Sequence, residues 1–317
     1  MYKIKLENVS YIYSQGTPFE QVALKEVDLS IRENCITGII GHTGSGKSTM
    51  MQLLNGLASP TEGRVFLDGY DINSRLEDVM EKRMDMPEYK GLSKKKAQKA
   101  IRDEIASRRR ALCFRVGLVM QYPEYQLFEE TVYRDIAFGP SNMGLPEEEI
   151  RTRVLEAAAF TGIEKDMLEQ SPFDLSGGQK RRVALAGVIA MRPEVLVLDE
   201  PAAGLDPRGK QMIFEHICQY QKNTGSTVLI VSHSMEDMAR YCDEIVVLKD
   251  ARVMMQGDPP AIFARQEELS DSGLDIPQIT QLLCMLKEKG LPVPTSVYTV
   301  EDAVRVVQAA FAKEGMK

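Results

Sequence analysis

The stretch that decides the fold is Ile36-Thr37-Gly38-Ile39-Ile40, followed by Gly41-His42-Thr43-Gly44-Ser45-Gly46-Lys47-Ser48 and then Thr49-Met50-Met51-Gln52-Leu53-Leu54-Asn55-Gly56-Leu57. A nearly continuous apolar run, a glycine-rich loop and a helical stretch read as strand, loop and helix, the opening of a parallel α/β sheet. The loop fits G-x-x-x-x-G-K-[ST]. Glycines let the backbone turn tightly, so that several N–H groups face one anion, and the helix behind adds its positive dipole end. In such a loop Lys47 bridges the β- and γ-phosphates of a nucleotide, and the Ser48 hydroxyl ligates Mg²⁺. A chance glycine-rich turn would lack the flanking strand and helix. Gly41, His42, Thr43, Gly44, Ser45, Gly46, Lys47, Ser48 and Thr49 are therefore the expected nucleotide-binding residues.

Downstream, Val195-Leu196-Val197-Leu198 ends in Asp199-Glu200. A buried strand ending in two carboxylates needs a cation or a reaction to offset their desolvation. With a phosphate loop upstream, Asp199 is expected to hold Mg²⁺ together with Ser48, and Glu200 to polarise the attacking water as general base. Residues 227–233 (TVLIVSH) and 244–250 (EIVVLKD) supply further buried strands, and the segments between them are long enough for helices.

Bulk properties narrow the classes. The 317 residues allow one large domain with an appendage, and 44% hydrophobic and 27% charged residues are ordinary for a globular chain. A net charge of -7 argues against bulk nucleic-acid binding. Five scattered cysteines, with no C-x-x-C pair, suggest neither a zinc site nor a disulfide framework and fit reduced thiols. No stretch has the length and apolarity of a signal peptide or a membrane span, so work at a membrane would need a partner to hold the chain there.

Leu175-Ser176-Gly177-Gly178-Gln179, followed by KRRVALAGVIA, carries the most specific signal. Ser176 is placed to cap a helix whose free N–H groups and glycine backbone form an anion nest. This pentapeptide resembles the signature of the ATP-binding cassette (ABC) family, and the likeness covers roughly residues 1–260. The resemblance implies that Ser176, Gly177, Gly178 and Gln179 reach the γ-phosphate of ATP bound by a second subunit, so that each site needs two chains. It further implies that Gln121, in VMQYPEYQLF, contacts Mg²⁺ and the attacking water and senses the transport partner. Asp206, in PAAGLDP, couples the two sites, and His233, in VSHS, contacts the γ-phosphate. Tyr13 is placed like the aromatic that stacks on adenine, with Tyr11 as its rival.

Within that family, residues 121–144 and 171–207 look like the second ATPase type of energy-coupling factor (ECF) transporters. That likeness implies a motor on the cytoplasmic face of the membrane that couples ATP hydrolysis to uptake of a vitamin or similar micronutrient. A sibling ATPase, in a heterodimer or else a homodimer, would pair with it. A transmembrane coupling subunit would carry a substrate-binding membrane subunit. A cobalt, nickel or other importer is the alternative within transport. A soluble ATPase of DNA repair or translation is the alternative outside it, and the single phosphate loop, single signature and absent Cys pairs disfavour that one. Ala202 stands where the ECF group usually has Thr, and the basic insertion at about 75–110 is longer than the group suggests.

The expected fold is α/β: a P-loop NTPase core of ABC type with an antiparallel β subdomain from the early strands and a helical signature subdomain at about 122–192. A small C-terminal domain, 261–317, resembles the dimerisation domain of the ECF ATPases. Within the insertion a helix is expected from a Ser93 cap to about Arg109, with Ala97, Ile101 and Ile105 as a thin apolar stripe. In the tail, Pro277 should open a helix with Ile279, Leu282, Leu283 and Leu286 on one side, and Thr299 with Asp302 resembles a capping box for a last helix.

Overall fold

Apolar strands buried on both faces organise the chain. The computed structural model describes residues 1–72 and 94–314. Ten strands are described: β1 Tyr2–Tyr13, β2 Gln21–Arg32, β3 Ile36–Gly41, β4 Glu62–Leu67, β5 Tyr70–Asp71, β6 Val116–Val119, β7 Val195–Asp199, β8 Thr227–Val231, β9 Glu244–Lys249 and β10 Arg252–Gly257. They form two sheets, a six-stranded one in the order β10-β9-β3-β8-β7-β6 and a four-stranded one in the order β2-β1-β4-β5. In the larger sheet β6, β7, β8, β3 and β9 run parallel and only β10 is antiparallel.

The period of two explains why the larger sheet needs no polar face. Ile39, Val197, Leu229, Val231, Val246 and Leu248 point to one side, into a core shared with the smaller sheet. Ile40, Leu196, Leu198, Val228, Ile230 and Val247 point to the other, into a core covered by helices. The smaller sheet alternates instead: Ile4, Leu6, Val27, Leu29 and Ile31 face that shared core, while Lys5 and Asp28 face out.

Eleven helices are described, and their placement follows from which core they fill. α1 (Lys47–Asn55) lies between the two sheets and buries Met50, Met51, Leu53 and Leu54 there. α2 (Lys94–Arg115) leads directly into β6. α3 (Val132–Asn142), α4 (Glu147–Phe160) and α5 (Gly177–Ile189) follow β6 and pack together on the opposite face of the larger sheet, with α6 (Pro207–Thr224) and α7 (Met235–Tyr241). Pro146 caps α4, whose first turn carries Glu147, Glu148 and Glu149, as the dipole favours.

The basic insertion differs in part from expectation. Its helix ends at Arg115 rather than near Arg109. Ala97 and Ile101 are buried as expected, and Leu112 fills the core between the sheets, against Gly56. The C-terminal end of the insertion is thus structural. Arg115 and Lys3 share Asp68 and Glu194, tying this end to both sheets. Hydrogen bonds from Arg115 and Lys3 hold the Glu194 carboxyl down to about 2 against the opposing cost of its burial. Residues 75–93, with the Ser93 cap, and the Ile105 side chain lie outside the described residues.

Beyond β10 come α8 (Pro259–Phe263), α9 (Gln266–Ser270), α10 (Gln278–Glu288) and α11 (Val300–Glu314). The last two enclose a small core of their own: Leu283, Leu291, Val293, Ala303 and Ala310. Ile279 and Leu286 pack against it, but Leu282 is 49% exposed, because α10 turns only a narrow stripe inward. Asp302 N–H donates to Thr299 Oγ1 at 3.2 Å, and that hydroxyl donates to Asp302 Oδ2 at 2.7 Å. Among the described residues no helix is long and apolar enough to cross a membrane.

Candidate active site

Four neighbouring parallel strands, β3, β8, β7 and β6, deliver their C-terminal ends to one edge of the sheet, where open α/β sheets bind ligands. Ladder register lines these ends up: Ile39 lies opposite Val231, Asp199 opposite Val231, and Val119 opposite Leu198. The glycine loop, Ser232 and His233, Asp199 and Glu200, and Gln121 are the residues that follow.

The loop is built around its lysine. Gly44 and Gly46 adopt positive φ, 83° and 103°, which disfavours any side chain there. A Cβ at Gly46 would meet the Ala23 carbonyl oxygen at 2.3 Å, so this glycine also permits the close approach of β2. Lys47 is buried, and its ammonium donates to the carbonyls of Gly41 at 2.7 Å and His42 at 2.9 Å. Burial pulls its pKa down, while the charges of Glu200 and Asp199 push it back up. Ser45 Oγ is buried without a hydrogen-bond partner, whereas Ser48 stands exposed at the mouth. Thr49 is buried and shares a 3.0 Å hydrogen bond with the Tyr13 hydroxyl. That bond holds the Tyr13 ring, 38% exposed, beside the start of α1, and Tyr11 packs edge-on against it at 4.8 Å. Tyr11 also packs against the core between the sheets, which leaves Tyr13 the more exposed of the two rings. His42 Nδ1 lies 2.8 Å from the Thr43 carbonyl.

Opposite the loop, burial raises the carboxyls of Asp199 and Glu200 above the usual carboxylate range. The neighbouring Glu200 charge adds to this at Asp199, where Lys47 opposes it; at Glu200 the His233 backbone N–H opposes it first and the Lys47 charge second. Glu200 sits at φ 47°, a strained conformation for a residue with a side chain. Its N–H donates to the Val231 carbonyl at 2.9 Å, which fixes the turn. Its Oε2 lies 3.5 Å from the Ser232 hydroxyl, and the buried Oε1 has no hydrogen bond, with His233 Nε2 at 3.6 Å. Burial and the Lys47 charge lower the His233 pKa, so near pH 7 the imidazole in this contact is neutral.

Ser176 caps α5 through a reciprocal pair: its Oγ accepts from Gln179 N–H at 3.4 Å, and Gln179 Oε1 accepts from Ser176 N–H at 2.9 Å. Open space surrounds Gly177 and Gly178, leaving the α5 N-terminus free to meet an anion. Asp206 caps α6, accepting from Gly209 N–H at 2.6 Å. Ser176, Gly178, Gln179 and Asp206 line one cleft together with His216. No residue of the glycine loop lines that cleft, and α5 packs on one face of the larger sheet while α1 packs on the other. One chain thus brings together Lys47, Asp199, Glu200, Ser232 and His233, and leaves Ser176, Gly177, Gly178 and Gln179 outside that group.

Two contacts were not legible in the sequence: the hydrogen bond by which Thr49, itself an expected site residue, anchors Tyr13, and the reach of Arg181 from α5 to Glu124 and Ala203. In sequence Arg181 stands only as the middle of the Lys180-Arg181-Arg182 run behind the signature.

Among the described residues, no cluster of three or more His, Cys, Asp and Glu could hold a metal. The donors on hand are the Ser48 hydroxyl, the Asp199 carboxylate and the Gln121 amide. Those hard oxygens suit Mg²⁺ that arrives with phosphates and keeps few protein ligands.

Known proteins resemble this chain over most of its length. The family model described as "ABC transporter" matches residues 24–203. The energy-coupling factor transporter ATP-binding protein EcfA2 of Caldanaerobacter subterraneus subsp. tengcongensis is 48% identical over 300 residues, spanning 95% of this chain and 94% of that protein. Among solved structures, cbiO1 from Clostridium perfringens, part of the ABC transporter complex cbiONQ, aligns at TM-score 0.66 and 37% identity over 91% of this chain and 97% of its own. A post-hydrolysis dimer of the ATP-binding cassette MJ0796, bound to ADP and Pi, aligns at TM-score 0.63 and 29% identity over 81% of this chain and 98% of that one.

Proposed function

The chain belongs to the ABC transporter family, as an ATP-binding subunit of the energy-coupling factor type that hydrolyses ATP for transport, and from that premise we propose how its residues divide the work. ATP lies with its adenine on Tyr13 and its phosphates in the loop, where Lys47 leaves the Gly41 and His42 carbonyls to pair with the β- and γ-phosphates. Glu200 accepts a proton from the attacking water, and neutral His233 and Gln121 orient the water and the γ-phosphate. Mg²⁺, held by Ser48, Asp199 and Gln121, supplies charge neutralisation at the phosphate oxygens when bound.

The observation that carries the reading is the separation of the two anion-binding elements. The helix that Lys47 opens and the helix that Ser176 caps pack on opposite faces of one sheet, and no residue of the loop lines the cleft at Ser176, which supports closure of a loop-held triphosphate by the signature of a second chain. A sibling ATPase is the proposed partner. The exposed Leu282, Met285, Val304 and Phe311 support the 261–317 segment as part of that pairing.

Beside Gln121, the exposed rings of Tyr122, Tyr125 and Phe128 support a seat for a transmembrane coupling subunit. On this proposal the chain sits peripherally on the cytoplasmic face and drives uptake of a vitamin or similar micronutrient. Tyr125 is 84% exposed and Phe128 56%, so replacing both by Glu should leave ATP binding intact and cut copurification of the membrane subunits from solubilised membranes by roughly tenfold or more. Full recovery of those subunits with the double variant, or recovery of ribosomes or DNA by the native chain, would overturn the proposal.

A further inference from the structure

Arg181 is buried in the signature helix, 5% exposed, and the nucleotide chemistry described above does not use it. Its Nε and Nη2 donate to the Glu124 carboxylate at 3.3–3.4 Å, and its Nη1 donates to the Ala203 carbonyl. Glu124 stands three residues past Gln121, in a single turn spanning Pro123–Gln126. Ala203 lies three residues past Glu200, and its N–H donates to the Glu200 carbonyl at 3.1 Å. Three residues further on, Asp206 caps α6. One guanidinium therefore joins segments 57 and 22 residues away from it in sequence: the turn after Gln121 and the loop between Glu200 and Asp206.

Burying a cation is costly, and a buried ion pair gives little net stability against an apolar pair of the same shape. What the fork supplies is geometry. Planar donors fixed at set angles hold a carboxylate and a carbonyl at once, which an ammonium, a point charge, cannot do. We propose that Arg181 is a positioning residue for hydrolysis, holding the Gln121 turn and the Glu200 loop in one register with the signature helix so that they address the same γ-phosphate. A shift of the Gln121 turn, such as a membrane partner would impose beside it, then reaches Glu200 and the α5 N-terminus through one side chain. This inference rests on the assignment of Glu200 and Gln121 given above.

The test uses the full chain in the assembly it forms with its copurified partners. Arg181→Lys keeps the charge and loses the fork. Glu124→Gln alters the less buried end of the pair, 18% exposed, and guards against a folding defect at position 181. Each should lower kcat by about tenfold or more, with KM for MgATP within roughly twofold. The double variant should fall no further than the worse single one, because the two side chains act as a unit. Native kcat in Glu124→Gln and Arg181→Lys, losses that multiply in the double variant, or KM rising in step with the loss of kcat would each overturn the proposal. Glu200→Gln, run alongside, separates the two levels. If that variant is inactive while the Arg181 and Glu124 variants run at the native rate, only the positioning role fails. If it turns over normally, the assignment of the site fails with it.

Discussion

Glu200→Gln is expected to bind ATP as the native chain does and to hydrolyse it about 10²–10⁴-fold more slowly. The substitution preserves shape. The turn that carries residue 200 is held by its backbone, through the 2.9 Å bond to Val231 and the bond received from Ala203, so the loop and Lys47 are left in place. What is lost is the proton acceptor. In the native chain Oε1 is buried and makes no hydrogen bond, an orphaned acceptor facing Lys47 and His233. An amide there cannot take a proton from water. The pH profile carries a second signature. Because burial raises the Glu200 pKa, the native kcat/KM should fall on acidification at a pH above the ordinary glutamate value, as the base becomes protonated. The residual rate of Glu200→Gln should lack that limb. Single-turnover hydrolysis and an equilibrium nucleotide titration, each from pH 5 to 9, check both parts.

Lys47→Ala is expected to act on binding. In the free chain the ammonium is buried and spends its donors on the Gly41 and His42 carbonyls. A triphosphate offers it charged acceptors instead, each charge-assisted bond being worth about 1.5–3 kcal/mol. Removing it should raise the dissociation constant for ATP by roughly 10- to 150-fold. ADP, which lacks the γ-phosphate, should lose less. Calorimetric titration of both nucleotides measures this, and equal affinities for native and variant chains would contradict the role assigned to Lys47.

Much of this architecture could be read from residues 36–57 and 195–200, because a parallel strand buried on both faces must be apolar throughout and can change character only where it ends. Asp199 and Glu200 mark such an end. The capping pairs at Ser176 and Thr299 were legible for the same reason: a helix start leaves free N–H groups, and few side chains satisfy them. Elements fixed by long-range packing were not legible. The insertion helix runs six residues past its expected end because Leu112 finds a place between the sheets, which no local pattern announces. Leu282 reads as one of an apolar set, yet lies exposed, since the last two helices enclose too small a core to take it. Arg181 is the clearest case, since both its partners come from distant segments and its neighbours in sequence are ordinary basic residues.

The central claim is that each ATP is cleaved between two chains, one supplying the loop with Lys47 and the other the helix start capped by Ser176. The most direct measurement is turnover per chain over a dilution series of the chain with its sibling, with molecular mass recorded at every concentration. The rate per chain should fall with the population of paired chains and vanish where only single chains remain. A rate per chain that stays constant on dilution, in samples whose mass is that of one chain throughout turnover, would contradict it.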